Sequence, residues 1–163
     1  MRSSESKIVS REKLKLLVQD HKHRGQTVVF ANGCFDVLHV GHVRYLEAAR
    51  AEGGMLIVAV NSDASVRNLK GPGRPVLEEW ARAALVAALR AVDYVVLFSE
   101  PSVASLLEDL RPEVHAKGTD YSVDTVPESE IAKKLNIRVA IVGDPKNHST
   151  RALLESLRKA PHA

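Results

Sequence analysis

The feature that most constrains the fold is the stretch at 27–46, TVVFANGCFDVLHVGHVRYL. Its first five residues are β-branched or apolar and predict one buried strand. Asn32 and Gly33 then end the strand, because both tolerate the backbone angles of a tight turn. Beyond Gly41 the apolar residues recur at helical intervals. The stretch therefore predicts a strand, a glycine-containing loop and a helix, in that order.

The predicted loop carries polar side chains at the point where the helix begins. Asp36 precedes His39 and His42, and Gly41 lies between the two imidazoles. A helix N-terminus offers free backbone N–H groups and the positive end of the helix dipole, and both features bind phosphate. Imidazolium groups there can neutralise the charge that grows on phosphate oxygens during transfer, and Gly41 leaves space for a substrate against the backbone. The loop therefore predicts a nucleotide-phosphate site.

Composition limits the classes of protein that can carry such a site. The chain has 163 residues, so we expect a single domain over 1–163 with a polar, flexible segment at 1–9. A net charge of +3 without a basic block argues against nucleic acid as a partner. The sequence contains neither a signal peptide nor an apolar run of membrane-spanning length, and its single cysteine, Cys34, fits a reducing compartment. We therefore expect a cytoplasmic protein that acts on small molecules and has no membrane partner.

Helical and strand patterns alternate along the whole chain. Predicted helices cover about 10–23, 41–50, 77–90, 101–110 and 128–135, and a last helix is capped by Ser149. Predicted strands cover about 27–31, 55–60, 94–98, 113–117 and 137–142. Such alternation predicts a Rossmann-like α/β three-layer sandwich, in which helices cover both faces of a five-stranded parallel sheet.

Polar residues follow two of the predicted strands at their carboxyl ends, the edge at which α/β sheets bind ligands. These residues are Asn61 and Asp63 after the second strand, and Lys117, Gly118, Asp120 and Tyr121 after the fourth. The segment 66–76 is basic and rich in glycine. Its Lys70 and Arg74 could fold over phosphates, and the alternative is a solvated surface loop.

Four other polar residues have simpler interpretations. Arg82 lies on a predicted helix and, taken alone, would be a solvated helical arginine. We expect Cys34 to be a small packed loop residue rather than a nucleophile, and His115 to belong to the packing of the sheet. His148 lies beside the start of the last helix and is kept as a candidate site residue.

Several motifs resemble those of a known enzyme superfamily. Gly33-Cys34-Phe35-Asp36-x-x-His39-x-Gly41-His42 is similar to the signature of the nucleotidyltransferases that include the cytidylyltransferases and pantetheine-phosphate adenylyltransferase. Nearly the whole chain resembles one branch of this superfamily, the D-glycero-β-D-manno-heptose 1-phosphate adenylyltransferases. The segments that carry this resemblance are 58–66, 70–71, 74–76, 91–96, 117–121 and 149–150.

The resemblance implies an activity. The branch joins the AMP of ATP to a heptose 1-phosphate, releases pyrophosphate and makes ADP-heptose for the lipopolysaccharide inner core. It is found alone or as the C-terminal half of a bifunctional kinase–adenylyltransferase, and this chain resembles the stand-alone form. The resemblance also implies ATP as a substrate, Mg²⁺ as a cofactor and a homodimer.

The resemblance further implies roles for the residues of the signature. Gly33, Cys34 and Phe35 would offer backbone N–H groups to the nucleotide phosphates. His39 and His42 would stabilise the pentavalent α-phosphate and the leaving pyrophosphate. Asp36 would orient a histidine or bind Mg²⁺ through water. The nucleophile is the phosphate oxygen of the substrate, which is already ionised, so positioning and electrostatics carry the reaction.

Residues outside the signature complete the implied site. Lys70 and Arg74 would close over the triphosphate or the sugar phosphate, and Arg82 would reach in from its helix as a catalytic residue. Ser149 and Thr150 match the family's Ser-Thr at a helix N-terminus, which is a second phosphate cradle. The remaining residues implied to bind nucleotide or sugar are Asn32, Gly41, Asn61, Asp63, Lys117, Gly118, Asp120 and Tyr121.

Three positions depart from the pattern of the branch. Thr119 stands where a second glycine is usual, and Arg151 stands where a second threonine is usual. Trp80 occupies a position at which a polar residue is common. An exposed tryptophan there would mark a subunit interface, because aromatic residues are enriched at such contacts.

Three alternatives remain open. A cytidylyltransferase acting on glycerol 3-phosphate, or on another small phosphorylated alcohol or sugar, would use the same chemistry. A metal-binding hydrolase would hold zinc on His39 and His42, but catalytic zinc needs three protein ligands, often with histidines four residues apart. A non-catalytic nucleotide-binding module would not require both histidines together with Lys70, Arg82 and the Ser149-Thr150 pair.

Overall fold

A parallel sheet runs through the centre of the protein in the computed structural model, which describes residues 3–145 and 149–159. Its strands are β1 (Val28–Gly33), β2 (Met55–Asn61), β3 (Tyr94–Phe98), β4 (Val114–Gly118) and β5 (Arg138–Val142). Within the described residues they form one five-stranded sheet with the spatial order β3-β2-β1-β4-β5, and every pair is parallel. The predicted Rossmann-like α/β fold is thereby confirmed.

Helices cover both faces of the sheet. They are α1 (Arg11–His23), α2 (Val40–Ala51), α3 (Asp63–Lys70), α4 (Glu79–Ala88), α5 (Ala104–Leu110), α6 (Ser129–Lys134) and α7 (Thr150–Lys159), with short 3-10 turns at Glu5–Lys7 and Val123–Thr125. The apolar sides of α1, α5 and α6 pack on one face. Those of α2 and α4 pack on the other. In the ranges that the structure describes, no helix combines the length and the apolar character needed to cross a membrane.

The alternation of side chains along the strands divides the core into two layers. Phe30 and Ile57 face the layer of α1, α5 and α6, whereas Val29 and Leu56 face the layer of α2 and α4. All seven residues of β2 are buried, as expected for a central strand of a parallel sheet that is covered on both faces.

The sheet opens at its carboxyl edge between β1 and β4. β1 pairs with β2 over six residues, but it pairs with β4 only at Val29–Val114 and Phe30–His115. The chain also changes direction between these two strands, because β2 and β3 lie on one side of β1 while β4 and β5 lie on the other. Open α/β sheets bind ligands in the crevice at such a switch point.

Several predicted boundaries differ from the structure. β1 runs on through Asn32 and Gly33, which were predicted to end the strand, because both residues still pair with β2. Residues 63–70 form α3, so the predicted basic loop starts only at Gly71. The helix forms because the Ser62 hydroxyl accepts a hydrogen bond from Ser65 N at 3.2 Å and Val66 is buried. α5 begins at Ala104 instead of Pro101, and Ala104 N donates to the Ser102 hydroxyl at 3.3 Å.

Residues 5–9, which the sequence analysis expected to be flexible, contact the edge of the sheet. Val9 is buried, and its N–H donates to the Val95 carbonyl at 3.0 Å. Lys7 Nζ donates to the Val92 carbonyl at 2.7 Å. These contacts form because β3 is an edge strand, so the backbone N–H and C=O groups on its outer side are not paired with another strand.

The turn between α2 and β2 allows a test of packing at two adjacent glycines. A Cβ on Gly53 would lie 2.7 Å from Val29 Cγ2 and 2.9 Å from the Thr27 carbonyl oxygen, whereas one on Gly54 would meet nothing closer than Gln26 Cβ at 3.4 Å. We expect Gly53→Ala to lower the free energy of unfolding by about 1–3 kcal/mol. Gly54→Ala is the control and should change it by no more than about 1 kcal/mol. Urea denaturation measures both values, and equal losses would contradict the packing described.

Candidate active site

A cleft of about 970 Å³ opens at the carboxyl edge of the sheet. Its walls come from the ends of β1, β2, β4 and β5 and from the first residues of α2 and α7. The volume lies within the range of about 300–1,000 Å³ that is usual for small-molecule sites. The cleft therefore lies where the strand order predicts a ligand.

The signature loop enters the cleft through a left-handed residue. Phe35 has φ +47°, a conformation that costs a non-glycine residue about 1–3 kcal/mol. Burial of its ring in the layer of α2 and α4 offsets this cost. A Cβ on Gly33 would lie 3.1 Å from the same ring, so a glycine suits the close approach there. The Phe35 ring therefore anchors the backbone of the loop in the core.

His39 and His42 stack at the N-terminus of α2. Their ring centroids are 3.9 Å apart with an interplanar angle of 24°, and the edge of Phe35 supports His42 at 5.2 Å. The backbone N–H of His39 donates to His42 Nδ1 at 3.4 Å. Because Nδ1 accepts this hydrogen bond, the proton of a neutral His42 resides on Nε2. His42 can thus donate a hydrogen bond from Nε2.

Tyr45 fastens this helix to the sheet. Its hydroxyl donates to the Ala116 carbonyl on β4 at 2.8 Å. Burial raises the pKa of Tyr45 above its ordinary value, so the phenol remains a neutral donor. The same residue packs against Gly143, where a Cβ would lie 3.3 Å from Tyr45 Cα. The histidine pair is therefore carried by a helix that is tied to both β4 and the end of β5.

Asp36 joins the signature loop to the segment that precedes α4. Its carboxylate accepts hydrogen bonds from Val76 N at 2.7 Å and Leu77 N at 3.0 Å, and it pairs with Arg74 Nε at 2.5 Å. Only 2% of Asp36 is exposed. Through these contacts Asp36 fastens the segment after α3 to the signature loop, and its expected roles toward a histidine or Mg²⁺ stay predictions.

Arg82 is fully buried and does not line the cleft, so it is not the solvated helical arginine that its helix alone predicted, and its catalytic role stays a prediction. Its guanidinium donates to the carbonyls of Leu77 at 2.9 Å and Cys34 at 2.6 Å. It also pairs with Asp63 at 2.8 Å. Asp63 is likewise absent from the cleft wall, because this ion pair directs its side chain toward α4. Both residues join elements that carry the site.

Most of the other predicted residues lie together. The cleft is lined by Asn32, Gly33, Cys34, Phe35, Asp36, His39, Gly41, His42, Asn61, Lys70, Arg74, Lys117, Gly118, Asp120, Tyr121, Ser149 and Thr150. Thr119 and Arg151 also line it, and the Thr119 hydroxyl donates to the Asp144 carbonyl at 2.8 Å. Trp80 lies outside the cleft and is 59% exposed. His148 lies outside the described residues.

The second predicted phosphate cradle has the expected cap. The Ser149 hydroxyl accepts from Ala152 N at 3.1 Å, and the Thr150 hydroxyl donates to the Val37 carbonyl at 3.4 Å. The first contact caps α7, and the second joins it to the signature loop. The N-termini of α2 and α7 therefore border the same cleft.

The sequence analysis missed three charged residues of the cleft, Arg44, Glu128 and Asp144. Arg44 lines it and pairs with Asp144 at 3.1 Å, and its place in the first turns of α2, two residues beyond His42, could have pointed to it. Glu128 pairs with Lys117 at 3.4 Å, and both side chains are buried. No local pattern in the sequence marks Glu128, because its burial depends on how the turn before α6 packs.

Cys34 behaves as a packed loop residue. Its thiol donates to Asn61 Oδ1 at 3.7 Å. Burial raises the pKa of the Cys34 thiol, so it stays protonated near neutral pH. A protonated thiol is a poor nucleophile.

The chain can now be compared with known proteins. The cytidylyltransferase-like family matches residues 30–155. The chain belongs to this family. Together with the histidine pair in the cleft, membership makes this cytidylyltransferase-like protein a nucleotidyltransferase.

Relatives of this cytidylyltransferase-like chain are longer proteins. It is 47% identical over 156 residues to the bifunctional protein HldE of Pseudomonas entomophila, across 96% of this chain and 33% of the relative. The bifunctional protein HldE of Azotobacter vinelandii is 47% identical over 158 residues, across 97% and 33% of the two chains. The chain thus spans about a third of the length of these relatives.

Solved structures share the fold. The lipopolysaccharide core biosynthesis protein from Thermoplasma volcanium superposes with a TM-score of 0.64 at 28% identity, over 75% of this chain and 100% of that chain. Pantoate-β-alanine ligase from Francisella tularensis superposes with a TM-score of 0.66 at 15% identity, over 90% of this chain and 72% of that one. The second likeness concerns the fold alone.

The buried contacts of Arg82 generate a prediction. Arg82→Met removes three hydrogen bonds and leaves two carbonyls without this donor, so we expect the free energy of unfolding to fall by about 2–4 kcal/mol. The control is Arg24→Met, which removes an exposed pair with Asp20 and should cost no more than about 0.5 kcal/mol. Chemical denaturation measures both. Unchanged stability in Arg82→Met with lost turnover would instead place Arg82 on the substrate.

Proposed function

We propose that this nucleotidyltransferase transfers AMP from ATP to D-glycero-β-D-manno-heptose 1-phosphate, giving ADP-heptose and pyrophosphate for lipopolysaccharide inner-core synthesis. The observation that carries the proposal is the stacked His39–His42 pair at the N-terminus of α2, in a cleft that Lys70 and Lys117 also line. The resemblance to heptose 1-phosphate adenylyltransferases supplies the sugar. It agrees with a match to one third of a bifunctional relative and with a structural neighbour in lipopolysaccharide core biosynthesis.

The reaction needs charge stabilisation more than proton transfer. An ionised oxygen of the sugar phosphate attacks the α-phosphorus of ATP, and the bond from that phosphorus to the bridging oxygen of pyrophosphate breaks. No proton is removed from the nucleophile, so no general base is required. Charge builds on the α-phosphate oxygens and on the leaving group, where positioned donors are most effective. His42 Nε2–H is such a donor, and His39 lies against it.

The N-termini of α2 and α7 each bind different phosphate groups of the substrates in this proposal. The N-terminus of α2 carries the histidine pair, which we assign to the α-phosphate. The N-terminus of α7, with Ser149 and Thr150, offers a second set of backbone donors across the cleft. Lys70 and Arg151 line the space near these phosphates, so the triphosphate and the sugar phosphate both meet positive charge.

Mg²⁺ would enter with the nucleotide. Among residues 3–145 and 149–159, no three His, Cys, Asp or Glu side chains gather into a group that could hold a metal ion. Mg²⁺ commonly keeps several waters and is bound through substrate phosphates. The bound ion would supply charge neutralisation of the triphosphate, and the protein side chains would bind and orient that complex.

Location and assembly extend the same proposal. We place the enzyme in the cytoplasm, because its proposed substrate ATP is found there and its single cysteine needs no oxidising compartment. The homodimer that the family resemblance implies stays a prediction. The exposed ring of Trp80 is the surface to examine for it.

The substrate assignment can be tested by pyrophosphate release. ATP, CTP, GTP and UTP are each paired with the heptose 1-phosphate or with glycerol 3-phosphate in the presence of Mg²⁺. We expect turnover with ATP and the heptose. Turnover with CTP and glycerol 3-phosphate would replace the assignment with the alternative cytidylyltransferase while keeping the histidine chemistry.

The role of the histidine pair gives a second prediction. His42→Ala removes a donor that acts mainly in the transition state, so kcat should fall by about 10²–10³-fold while KM for ATP changes by less than about threefold. The control is His23→Ala, an exposed residue at the end of α1, which should leave both constants unchanged. Steady-state pyrophosphate release measures them. A raised KM with an unchanged kcat would show that His42 contributes uniform binding instead, and would contradict its role in the transition state.

A further inference from the structure

A buried polar cluster lies beneath the cleft, where β1 and β4 stop pairing. Asn32 Oδ1 faces His115 Nε2 at 3.0 Å and accepts a hydrogen bond from Lys117 Nζ at 3.3 Å. Lys117 also pairs with Glu128 at 3.4 Å. The backbone register of the two strands ends at Phe30–His115. Side chains therefore join β1 to β4 at the point where backbone pairing has ended.

The chemistry of these groups fixes the direction of each hydrogen bond. A lysine only donates, so the Asn32 atom that it contacts is the carbonyl oxygen. His115 must then donate to the same oxygen from Nε2. Burial lowers the pKa of His115 to about 3, so the ring is neutral and its single proton resides on Nε2. His115 is thus a donor toward Asn32 and carries no proton on Nδ1.

Packing alone does not explain a histidine at this position. His115 is fully buried, and its Nδ1 has no hydrogen-bond partner within the described part of the chain. A buried acceptor without a partner lowers stability, and an apolar side chain of similar size would avoid that loss. The ring also contacts Phe30 at a centroid distance of 5.6 Å, which a hydrocarbon could equally do. The distinctive contribution of His115 is therefore its Nε2–H donor.

That donor fixes the amide of Asn32 in one orientation. Two donors on Oδ1 hold the plane of the carboxamide and direct Nδ2 away from His115 and Lys117. Nδ2 makes no hydrogen bond to residues 3–145 or 149–159, and it is not among the buried unpartnered atoms. Asn32 itself lines the cleft. The amide N–H₂ is consequently a fixed donor available to a ligand.

We propose that His115 is a positioning residue, which holds the Asn32 amide so that Nδ2 donates to an acceptor oxygen of the bound substrates. The inference rests on the proposed nucleotidyl transfer and assigns a role to a residue outside the cleft wall. The oxygen belongs either to the nucleotide or to the phosphorylated co-substrate. Because positioned donors act best where they need no reorientation, the loss of His115 affects the reaction through Asn32.

Two replacements of His115 separate its donor from its volume. His115→Phe keeps a ring but removes the donor, and we expect kcat/KM to fall by about tenfold or more. His115→Gln places an amide N–H₂ near the lost Nε2 and should recover most of that loss. Ile137→Val, a change in the same core layer, is the control and should leave kcat/KM unchanged. Equal losses in the Phe and Gln variants, at matched thermal stability, would overturn the proposal.

A double-mutant cycle tests whether His115 acts through Asn32. In an Asn32→Ala background, His115→Phe should cause no further loss, because the amide that it positions is gone. Multiplicative losses would show an independent role and overturn the proposal. The substrate whose KM rises in Asn32→Ala identifies the source of the oxygen: ATP if it belongs to the nucleotide, the sugar phosphate if it belongs to the co-substrate.

Further measurements test the role of His115 even if the proposed substrate is wrong or a variant does not fold. Calorimetric titration with a non-hydrolysable ATP analogue, together with turnover of whichever substrate pair the wild-type enzyme accepts, shows whether the variants lose function even if the heptose is wrong. If His115→Phe does not fold, nitrogen NMR of histidine-labelled wild-type protein reports the tautomer of His115. We expect the proton on Nε2, and a proton on Nδ1 would overturn the proposal.

Discussion

The active-site edge of this protein depends on the buried guanidinium of Arg82. Its planar fork reaches the signature loop at the Cys34 carbonyl, the start of α3 at Asp63 and the segment before α4 at the Leu77 carbonyl. Each of these elements carries part of the cleft: the loop leads to the histidine pair, and α3 ends at Lys70. A lysine has one donor nitrogen and could not span three acceptors in different directions. Arg82 thus helps to set the distance between Lys70 and the histidine pair, although it contacts neither.

Buried charges near the cleft are paired with groups of the protein itself. Asp36 and Arg82 are both buried. Asp36 accepts a hydrogen bond from the backbone of the segment before α4, and Arg82 donates one to the backbone of the signature loop. The histidine pair depends instead on local contacts between a helix cap and a residue three positions later. The substrate therefore meets groups held by a scaffold of satisfied buried charges. Such preorganisation is what phosphoryl-type transfer requires, because the protein supplies position and charge rather than covalent chemistry.

The parts of the site that were predictable from the sequence rest on short-range patterns. The strands, the signature loop and the Ser149 cap follow from local periodicity and residue chemistry, and the fold follows from their alternation. The helix at 63–70 was missed because the glycines that follow it made the whole segment 66–76 look like a loop. The contacts of Arg82 and His115 could not be predicted, since their partners lie 48 and 83 positions away in the chain. Burial of a polar residue is a tertiary property that a local pattern does not contain.

The short register between β1 and β4 has a mechanical consequence. The sheet consists of two well-paired parts, β3-β2-β1 and β4-β5, joined by only two residue pairs, fewer than at any other junction in it. A small change in the angle between these parts disturbs fewer paired residues than the same change at any other junction of the sheet. Near the cleft, the distance between β1 and β4 is set by the hydrogen bonds among Asn32, His115 and Lys117. The spacing between the halves of the enzyme is therefore under side-chain control and can change by substitution while the backbone ladder stays intact.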